Sequence, residues 1–424
     1  MLGPELAADL AARFGTPLYA YDLGAVRERA RALAACLPGG SRLLFSLKAN
    51  PLPAIGAVLA GLGCGAEVSS TGELQAALAA GFAPAAILYT GPAKTPDEIV
   101  AALARGVRDY SCESFADLER LSHLAGQAGV RPRVLLRVNP ARASRALLAM
   151  SGVRSQFGFE EELLLAEPAR LAAAREVEIA GIHVYFGTQI QGAEALVSAF
   201  EEATDTAERI AEATGRRFAV LDLGGGFAWP FATAGEGGTL AGLAPALAAL
   251  PARSRRNRGA ELWFESGRYL TASSGTLLTT VLDVKASKGG NRFVLADTGI
   301  HHLGGMSGLG RIARSNLSVE SSAAASNRPA EVVDLAGPLC TPLDCMGRNV
   351  TVPAPRPGDL LRIPNVGAYG LTASLMGFLS RPAPVEVVYE GTEILEASRL
   401  ASARETLVTR APRDPDGGAP PGAR

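Results

Sequence analysis

The chain has 424 residues, of which 48% are hydrophobic, 20% charged and 6% aromatic, so it is too apolar to be disordered and can bury a large core. A formal net charge of −1 gives no overall field that would attract nucleic acid or an anionic membrane, and we expect neither as a partner. The five cysteines form no CxxC pair and the four histidines are few and scattered, so we expect reduced thiols and no metal site.

The first ten residues, MLGPELAADL, do not show the pattern of a signal peptide, in which an apolar segment follows a basic one. No run of about 18 apolar residues occurs anywhere in the chain. We therefore expect a cytoplasmic protein without a membrane-spanning segment.

Residues 18–268 alternate short β-type runs with Ala- and Leu-rich stretches of helical period, the pattern of parallel strands joined by crossover helices. Ser70 and Ser114 are predicted to cap two of these helices. The predicted strands are 42–46, 64–68, 86–89, 107–111, 133–138, 179–185, 218–223 and 261–264. Eight such units predict an α/β fold, an N-terminal (β/α)8 barrel of the TIM type.

Residues 269–410 have a different texture, with β-branched segments separated by Gly, Pro and Asn and few helical stretches. They predict a second, mostly β domain, which the first 17 or so residues could also join. Residues 411–424 combine Pro, Gly and charge without apolar periodicity, and we predict a disordered tail.

Function in such a barrel collects where the strands end, and Lys48 follows the first predicted strand directly. A lysine desolvated inside a barrel has a lowered pKa and can form a Schiff base. An ordinary strand-end lysine with its ammonium in solvent is the alternative.

Two further strand ends carry suggestive residues. Gly224, Gly225 and Gly226 lack Cβ atoms, so their backbone N–H groups can approach an oxyanion such as phosphate, although loops also contain such runs for conformational reasons. Glu265 and Arg268 flank Gly267 after the last barrel strand, either as a site or as a structural ion pair.

Together these segments resemble the fold-type III pyridoxal-phosphate decarboxylases, the group of ornithine and diaminopimelate decarboxylases. The motifs that carry the resemblance occur in order between residues 17 and 384: FSLKANP, GAEVSSTGE, YTGPAK, LLRVNP, SQFGF, GIHVYFGTQI, LDLGGGF, ESGRY, AGPLC and GAYG. The family combines an N-terminal β/α barrel with a C-terminal β domain, in agreement with the change of texture.

The resemblance implies roles for the cofactor, pyridoxal 5′-phosphate. Lys48 would hold it covalently, and Glu265 would face the pyridine nitrogen and keep it protonated, so that the ring accepts the electron pair left by CO₂. The residues implied to hold the phosphate or close over it are Gly224, Gly225, Gly226, Gly267, Arg268 and Tyr369.

Cys340 matches the cysteine that the family uses as an acid, supplied across a dimer interface. By its chemistry alone, a lone cysteine in a β domain is more often buried filling. The resemblance therefore implies a homodimer with shared active sites.

Departures from the family pattern concern the substrate. Thr341 follows Cys340 where relatives that bind a second ammonium group have an acid, and Asp297-Thr298-Gly299 has threonine where ornithine decarboxylases have an acid. A hydroxyl cannot neutralise a buried cation, so ornithine, lysine and diaminopimelate are disfavoured, although Asp344 remains available as an acid. With Thr341 and Asp344, Arg137 in LLRVNP is a candidate substrate contact.

Tyr185 occupies the position at which relatives stack a histidine on the cofactor, and His183 lies two residues earlier on the same strand face. The segment from Gly299 resembles a branch of specialised metabolism in which some members decarboxylate an aminoacyl group held on a carrier protein. Arg311 and Arg314 either contact such a carrier or are solvated charges, and the pair His301-His302 is either a lid contact or a loop.

The sequence thus predicts an enzyme that removes the α-carboxylate of an amino acid or of an aminoacyl group on an acyl or peptidyl carrier protein, using pyridoxal phosphate. Alternatives are a diaminopimelate decarboxylase of lysine biosynthesis, an amino-acid racemase, and a non-catalytic protein that binds the cofactor.

Overall fold

The computed structural model describes residues 2–141, 148–149, 155–238, 240–304, 317–322 and 327–406. Arg311, Arg314 and the tail from residue 411 lie outside the described residues. The helices are α1 (Pro4–Phe14), α2 (Leu23–Ala34), α3 (Pro53–Gly61), α4 (Thr71–Ala79), α5 (Pro96–Ala104), α6 (Phe115–Ala128), α7 (Glu161–Ala166), α8 (Ala193–Thr214), α9 (Leu243–Ala248), α10 (Leu250–Arg253) and α11 (Arg268–Thr271).

Within the described residues, twelve strands precede residue 270 and eight follow it. The first run is β1 (Leu18–Asp22), β2 (Arg42–Ser46), β3 (Gly65–Val68), β4 (Ile87–Tyr89), β5 (Asp109–Cys112), β6 (Arg133–Asn139), β7 (Leu148–Ala149), β8 (Phe159–Glu160), β9 (Glu178–Val184), β10 (Gly187–Thr188), β11 (Val220–Asp222) and β12 (Glu261–Ser266). The second run is β13 (Gly275–Ala286), β14 (Arg292–Ala296), β15 (Glu320–Ser321), β16 (Ala330–Ala336), β17 (Cys345–Pro353), β18 (Leu360–Ile363), β19 (Val385–Glu390) and β20 (Glu393–Arg399).

Eight parallel strands close into a barrel. Pairing passes through β2, β3, β4, β5, β6, β9, β11 and β12 in turn, and β12 returns to β2 with Glu265 opposite Leu44. Each strand lies where the sequence predicted one, which confirms the barrel.

The helices around the barrel begin at the predicted caps. The Ser70 hydroxyl accepts a hydrogen bond from the Glu73 N–H at 3.1 Å before α4, and the Ser114 hydroxyl accepts one from the Asp117 N–H at 3.1 Å before α6. Each bond satisfies an N–H group that has no partner within its own helix.

The second domain is a nine-stranded sheet whose main path runs β17, β16, β14, β13, β1, β19 and β20, with β18 pairing to β13 and β15. This confirms a mostly β second domain. Strand β17 pairs with β16 and covers its outer edge.

The predicted start of the barrel at residue 18 is corrected by the pairing of β1. Leu18 lies opposite Leu278 of β13 and opposite Val385 of β19, so β1 belongs to the second sheet. Leu10 of helix α1 is buried in an apolar cluster that also contains Leu18 and Leu278. Sequence periodicity shows that a strand is present but not which sheet it joins, because the partners are more than 250 residues away.

Two hydrogen bonds join the second domain to the barrel beside Lys48. The Tyr369 N–H donates to the Ala49 carbonyl oxygen at 2.7 Å, and the Asn50 side-chain amide donates to the Gly367 carbonyl oxygen at 3.0 Å. The GAYG loop is thereby fixed against the turn that carries Lys48.

Candidate active site

The barrel interior changes from apolar to polar along the strands. Five inward side chains form a separate apolar cluster: Leu44, Leu88, Leu135, Val220 and Trp263. Because side chains alternate along a strand, the residue two positions later points to the same side. At those later positions the eight strands carry a buried polar ring made of Ser46, Glu67, Thr90, Ser111, Arg137, His183, Asp222 and Glu265. The ring lies at the carboxyl ends of the strands, where barrels of this type place their active sites.

Lys48 lies above this ring on the turn after β2. Its Nζ is 2.9 Å from Oε1 and 3.0 Å from Oε2 of Glu67, whose Oε1 also accepts a hydrogen bond from the Thr90 hydroxyl at 2.8 Å. Burial works to lower the pKa of Lys48, but the charges of Glu67 and Glu265 outweigh it and raise that pKa. The Lys48 side chain is 42% exposed, so its amine is accessible to a molecule in the barrel mouth.

The glycine turn after β11 packs against the strand end that carries Glu265. A Cβ at Gly225 would overlap the Glu265 carbonyl oxygen, and one at Gly226 would lie 2.7 Å from Ile190. Gly226 also has φ of +105°, a conformation that favours glycine. The turn can therefore hold its backbone N–H groups close to a bound anion.

Arg268 supplies a positive charge beside this turn. Its guanidinium lies 4.7 Å from the centre of the Tyr369 ring, and its buried Nε has no hydrogen-bond partner. Burial lowers the pKa of Arg268. A guanidinium with an unpaired, buried Nε beside the glycine turn fits an anion such as phosphate.

Glu265 is 2% exposed and reaches the same space from the end of β12. Its Oε1 has no hydrogen-bond partner and lies 3.4 Å from Nε2 of His183. Burial, together with the nearby charges of Glu67 and Asp222, raises the pKa of Glu265 well above its usual value.

Two tyrosines flank the lysine. The Tyr185 ring centre lies 5.9 Å from the Lys48 Nζ, and Tyr369 adopts the left-handed conformation with φ of +55°. The hydrogen bond from the Tyr369 N–H to Ala49 holds this uncommon backbone conformation in place.

These groups line one cavity at the carboxyl ends of the barrel strands. Seven of the predicted site residues lie on its wall, namely Lys48, Tyr185, Gly226, Glu265, Gly267, Arg268 and Tyr369. Gly224 and Gly225 lie directly behind the wall, against Tyr185 and Glu265 respectively.

Arg137 is in the buried polar ring. Its Nη1 donates to Oε1 of Glu113 at 3.0 Å, and its guanidinium lies 4.8 Å from the centre of the Phe157 ring. The charge of Arg137 is therefore already paired within the chain.

Cys340 and Thr341 do not belong to the cavity wall of their own chain, as far as the described residues define it. Cys340 is exposed, and the Thr341 hydroxyl accepts a hydrogen bond from the Leu343 N–H at 3.3 Å. Both lie on an exposed turn of the second domain.

Asp344, predicted to be available to a substrate, makes contacts within its own chain. Its carboxylate oxygens accept hydrogen bonds from the Ile300 N–H at 2.8 Å and from the Leu339 N–H at 2.7 Å, and its side chain is buried. Asp344 therefore braces the turn that carries Cys340. The sequence could not reveal this, since Ile300 lies 44 residues away.

The residues that sequence reasoning missed are Glu67, Asp222 and the polar partners around them. Glu67 lies inside the motif GAEVSSTGE and Asp222 inside LDLGGGF, but neither residue was predicted to have a role. Their position along the strand could have identified them. Each lies two residues after an inward-facing position, so its side chain also points into the barrel.

Comparison with known proteins assigns the chain to a family. Residues 23–272 match the family model described as pyridoxal-dependent decarboxylase, pyridoxal binding domain. The chain belongs to the pyridoxal-dependent decarboxylase family. It is an amino-acid decarboxylase of the diaminopimelate and ornithine decarboxylase type, and its cofactor is pyridoxal phosphate.

Two curated relatives of this decarboxylase cover nearly its whole length. One, from Niallia circulans, is named L-glutamyl-(BtrI acyl-carrier protein) decarboxylase and is 34% identical over 407 residues, which is 95% of each chain. Another, from Deinococcus radiodurans, is named diaminopimelate decarboxylase and is 36% identical over 391 residues, covering 90% of this chain and 92% of the relative.

Solved structures of the family match the fold of this decarboxylase. Diaminopimelate decarboxylase from Helicobacter pylori in complex with L-lysine superposes with a TM-score of 0.79 at 26% identity, over 92% of this chain and 95% of that one. Among the described helices of this decarboxylase, none combines the length and the apolar composition that crossing a bilayer requires.

Proposed function

We propose that Lys48 is the residue that binds the cofactor and that the surrounding cavity is the site of α-decarboxylation. The observation that carries the proposal is the convergence on one cavity of an accessible amine, the buried carboxyl group of Glu265 and an unpaired buried Nε of Arg268. A pyridine ring bearing an aldehyde and a phosphate offers one matching partner to each. The residues therefore fit pyridoxal phosphate.

Each residue contributes a separate task. When bound, the cofactor supplies an electron sink for the pair of electrons that CO₂ leaves behind. The Arg268 guanidinium and N–H groups of the glycine turn would bind the phosphate, and Glu265 would hold a proton at the ring nitrogen. Glu67 forms an ion pair with the Lys48 amine when that amine is charged. The Tyr185 ring covers one face of the site.

Cys340 is proposed to act from the partner subunit of a homodimer. Its thiol is exposed and is not part of the described cavity wall of its own chain, so in this proposal a second chain brings it to another Lys48. Leu343 on the same turn is 45% exposed, as an apolar residue buried by a partner would be in the isolated chain.

The proposed substrate has no second ammonium group. Thr341 is neutral, and both oxygens of Asp344 are engaged by backbone N–H groups, so neither supplies a free carboxylate for a distal cation. An α-decarboxylase needs a free α-carboxylate, so an amino acid tethered to a carrier must be joined through its side chain. Such a thioester has no distal charge, and the Niallia circulans relative is named for a glutamyl group on a carrier protein.

A free diamino acid is the second candidate. It is favoured by the name diaminopimelate decarboxylase, which several relatives carry, including the one from Deinococcus radiodurans at 36% identity. A carboxylate from outside the Cys340 turn would then have to bind the second ammonium group.

The experiment measures CO₂ release by mass spectrometry from two substrates: diaminopimelate, and glutamate joined through its side-chain carboxyl to pantetheine as a thioester. We expect turnover of the thioester with kcat/KM at least tenfold above that of diaminopimelate. The reverse preference would overturn the substrate proposal and leave the cofactor site untouched.

Thr341→Asp is the matched variant. The added carboxylate should raise kcat/KM for diaminopimelate and lower it for the thioester, because it can pair with an ammonium group. Thr351→Asp, on the exposed face of β17, adds the same charge elsewhere and should change neither value.

A further inference from the structure

The barrel interior contains a cluster of three buried ionisable side chains, which we call the inner cluster: His183, Asp222 and Glu265. One ligand atom from each lies within 4.8 Å of the others, and the exposed fractions are 1%, 1% and 2%. His183 Nε2, Asp222 Oδ2 and Glu265 Oε1 have no hydrogen-bond partner. Buried polar atoms that face one another need a partner, and a proton held within the cluster is one that these side chains can supply themselves.

The positive charges around the inner cluster do not neutralise its two acids, Asp222 and Glu265. Among the residues that the structure describes, Lys48, Arg137 and Lys94 influence the cluster, and each already has an acidic partner. These pairs are Lys48 with Glu67 at 2.9 Å, Arg137 with Glu113 at 3.0 Å and Lys94 with Asp117 at 2.7 Å. Two further carboxylates so close together in a low-dielectric interior cannot both ionise, so one of them holds a proton. In agreement, burial raises the pKa of Asp222 to about 7.

His183 is oriented toward Glu265 by its other ring nitrogen. Nδ1 lies 2.8 Å from the Ser111 hydroxyl, which places Nε2 at 3.4 Å from Glu265 Oε1. Burial and the nearby charge of Arg137 lower the pKa of His183, so its ring is neutral and carries one proton. We assign the Ser111 hydroxyl as the donor to Nδ1, which places that proton on Nε2, the ring nitrogen 3.4 Å from Glu265 Oε1.

We propose that His183 and Asp222 are positioning residues for Glu265, keeping one proton on its carboxyl group in the cofactor-free protein and stabilising its carboxylate after that proton moves to the cofactor's ring nitrogen. This inference rests on the proposed role of Glu265. In the transfer the O–H bond of Glu265 breaks, an N–H bond forms on the ring, and a carboxylate remains opposite a pyridinium. No proton has to come from solvent through the closed barrel.

The test compares binding of two cofactors to the cofactor-free protein: pyridoxal phosphate, and its carbon analogue in which CH replaces the ring nitrogen. His183→Phe keeps a ring of similar shape but removes the N–H donor. It should weaken pyridoxal phosphate binding at least tenfold, which corresponds to about 1.4 kcal/mol or more, since the hydrogen bond that it removes is to a charged group, and change binding of the analogue less than twofold. His183→Gln, which retains a donor, should restore most of the loss.

Several controls separate positioning from packing. His123→Phe, on the exposed face of α6, should leave both dissociation constants unchanged. Equal losses for both cofactors in His183→Phe would mean that the ring only fills space, and would overturn the proposal. If that variant does not fold, Ser111→Ala leaves the ring in place and should produce a smaller loss that is again confined to pyridoxal phosphate.

Infrared difference spectra between the cofactor-free and the loaded protein provide a second readout. We expect the carbonyl band of a protonated carboxyl group to disappear on loading, and to be absent from the difference spectrum of Glu265→Gln. A band that persists on loading would overturn the proposal, as would one equivalent of tightly bound transition metal in the purified protein. If Glu265→Gln bound both cofactors as the unmodified protein does, the proposed role of Glu265 itself would fail.

Discussion

The ammonium group of Lys48 lies between the two carboxylate oxygens of Glu67, at 2.9 and 3.0 Å. Burial favours the neutral amine, but the charge of Glu67 dominates and raises the pKa of Lys48, while the same pair, with Ser46 and Thr90, lowers the pKa of Glu67 to about 2. Only the neutral amine attacks an aldehyde, so Glu67 keeps the cofactor-free lysine charged and unreactive.

Glu67→Gln should therefore speed cofactor binding. Loading of the cofactor-free protein depends on the neutral amine, whose fraction grows as pH rises toward the elevated pKa of Lys48. Removing the charge of Glu67 lowers that pKa, and each unit increases the neutral fraction about tenfold. The loading rate, followed by visible absorbance against pH, should shift to lower pH by a unit or more. An unchanged profile would mean that Glu67 does not control Lys48.

Lys48→Ala should abolish covalent cofactor binding. We expect no visible absorbance after addition of pyridoxal phosphate, no label after borohydride reduction, and a fall in CO₂ release of at least ~10³-fold, because no second lysine lines the cavity within the described part of the chain. Lys285→Ala, at a side chain that is 61% exposed in the second domain, is the control and should match the unmodified protein. Full turnover by Lys48→Ala would remove the mechanism.

Gly225→Ala should disrupt the glycine turn. The new Cβ overlaps the Glu265 carbonyl oxygen, so the turn or strand β12 must move. We expect a loss of about 1–3 kcal/mol in the free energy of unfolding, as for other overpacked sites, and weaker cofactor binding. Gly39→Ala has nothing within 4 Å of its Cβ and should show neither effect in denaturant titrations.

Mixing two inactive variants tests the shared active site. Lys48→Ala lacks the amine and Cys340→Ala lacks the thiol, but a dimer with one chain of each kind has one complete site if the thiol comes from the partner. Equal mixing gives mixed dimers as half of the population, so CO₂ release should recover to about a quarter of the unmodified rate. No recovery, with exchange of subunits verified by mass, would place the thiol and the amine in the same chain.

His301 should make the protein less stable in acid. It is fully buried against His302, with neither ring nitrogen hydrogen-bonded, and burial together with the charge of Arg381 lowers its pKa to about 4. The unfolded chain binds this proton near pH 6.5 but the folded chain does not, so stability is complete above pH 6.5 and falls as pH drops toward 4. His302 behaves alike, with a pKa lowered to about 4.

His301→Leu should remove one of these two contributions. Melting temperatures between pH 7 and pH 4 should fall less steeply in the variant, and at neutral pH the variant should be at least as stable, because no hydrogen bond is lost. A slope equal to that of the unmodified protein would show that His301 does not titrate in this window.

The sequence by itself determined the barrel, the second β domain and most of the cavity wall. Strand period, helix caps and strand-end residues are local properties, readable within ten or so neighbouring positions. The motifs around Lys48, Gly225 and Arg268 marked the wall for the same reason, since each follows its strand directly.

Tertiary structure alone decided which sheet received β1, what Asp344 binds and which side chains surround Glu265. These facts depend on contacts between residues that lie tens to hundreds of positions apart, and the energy of a buried charge depends on every group around it. Asp344 looked free because its partners are backbone N–H groups, which every sequence contains. Asp222 and His183 had no assigned role until the closed barrel brought them within reach of Glu265.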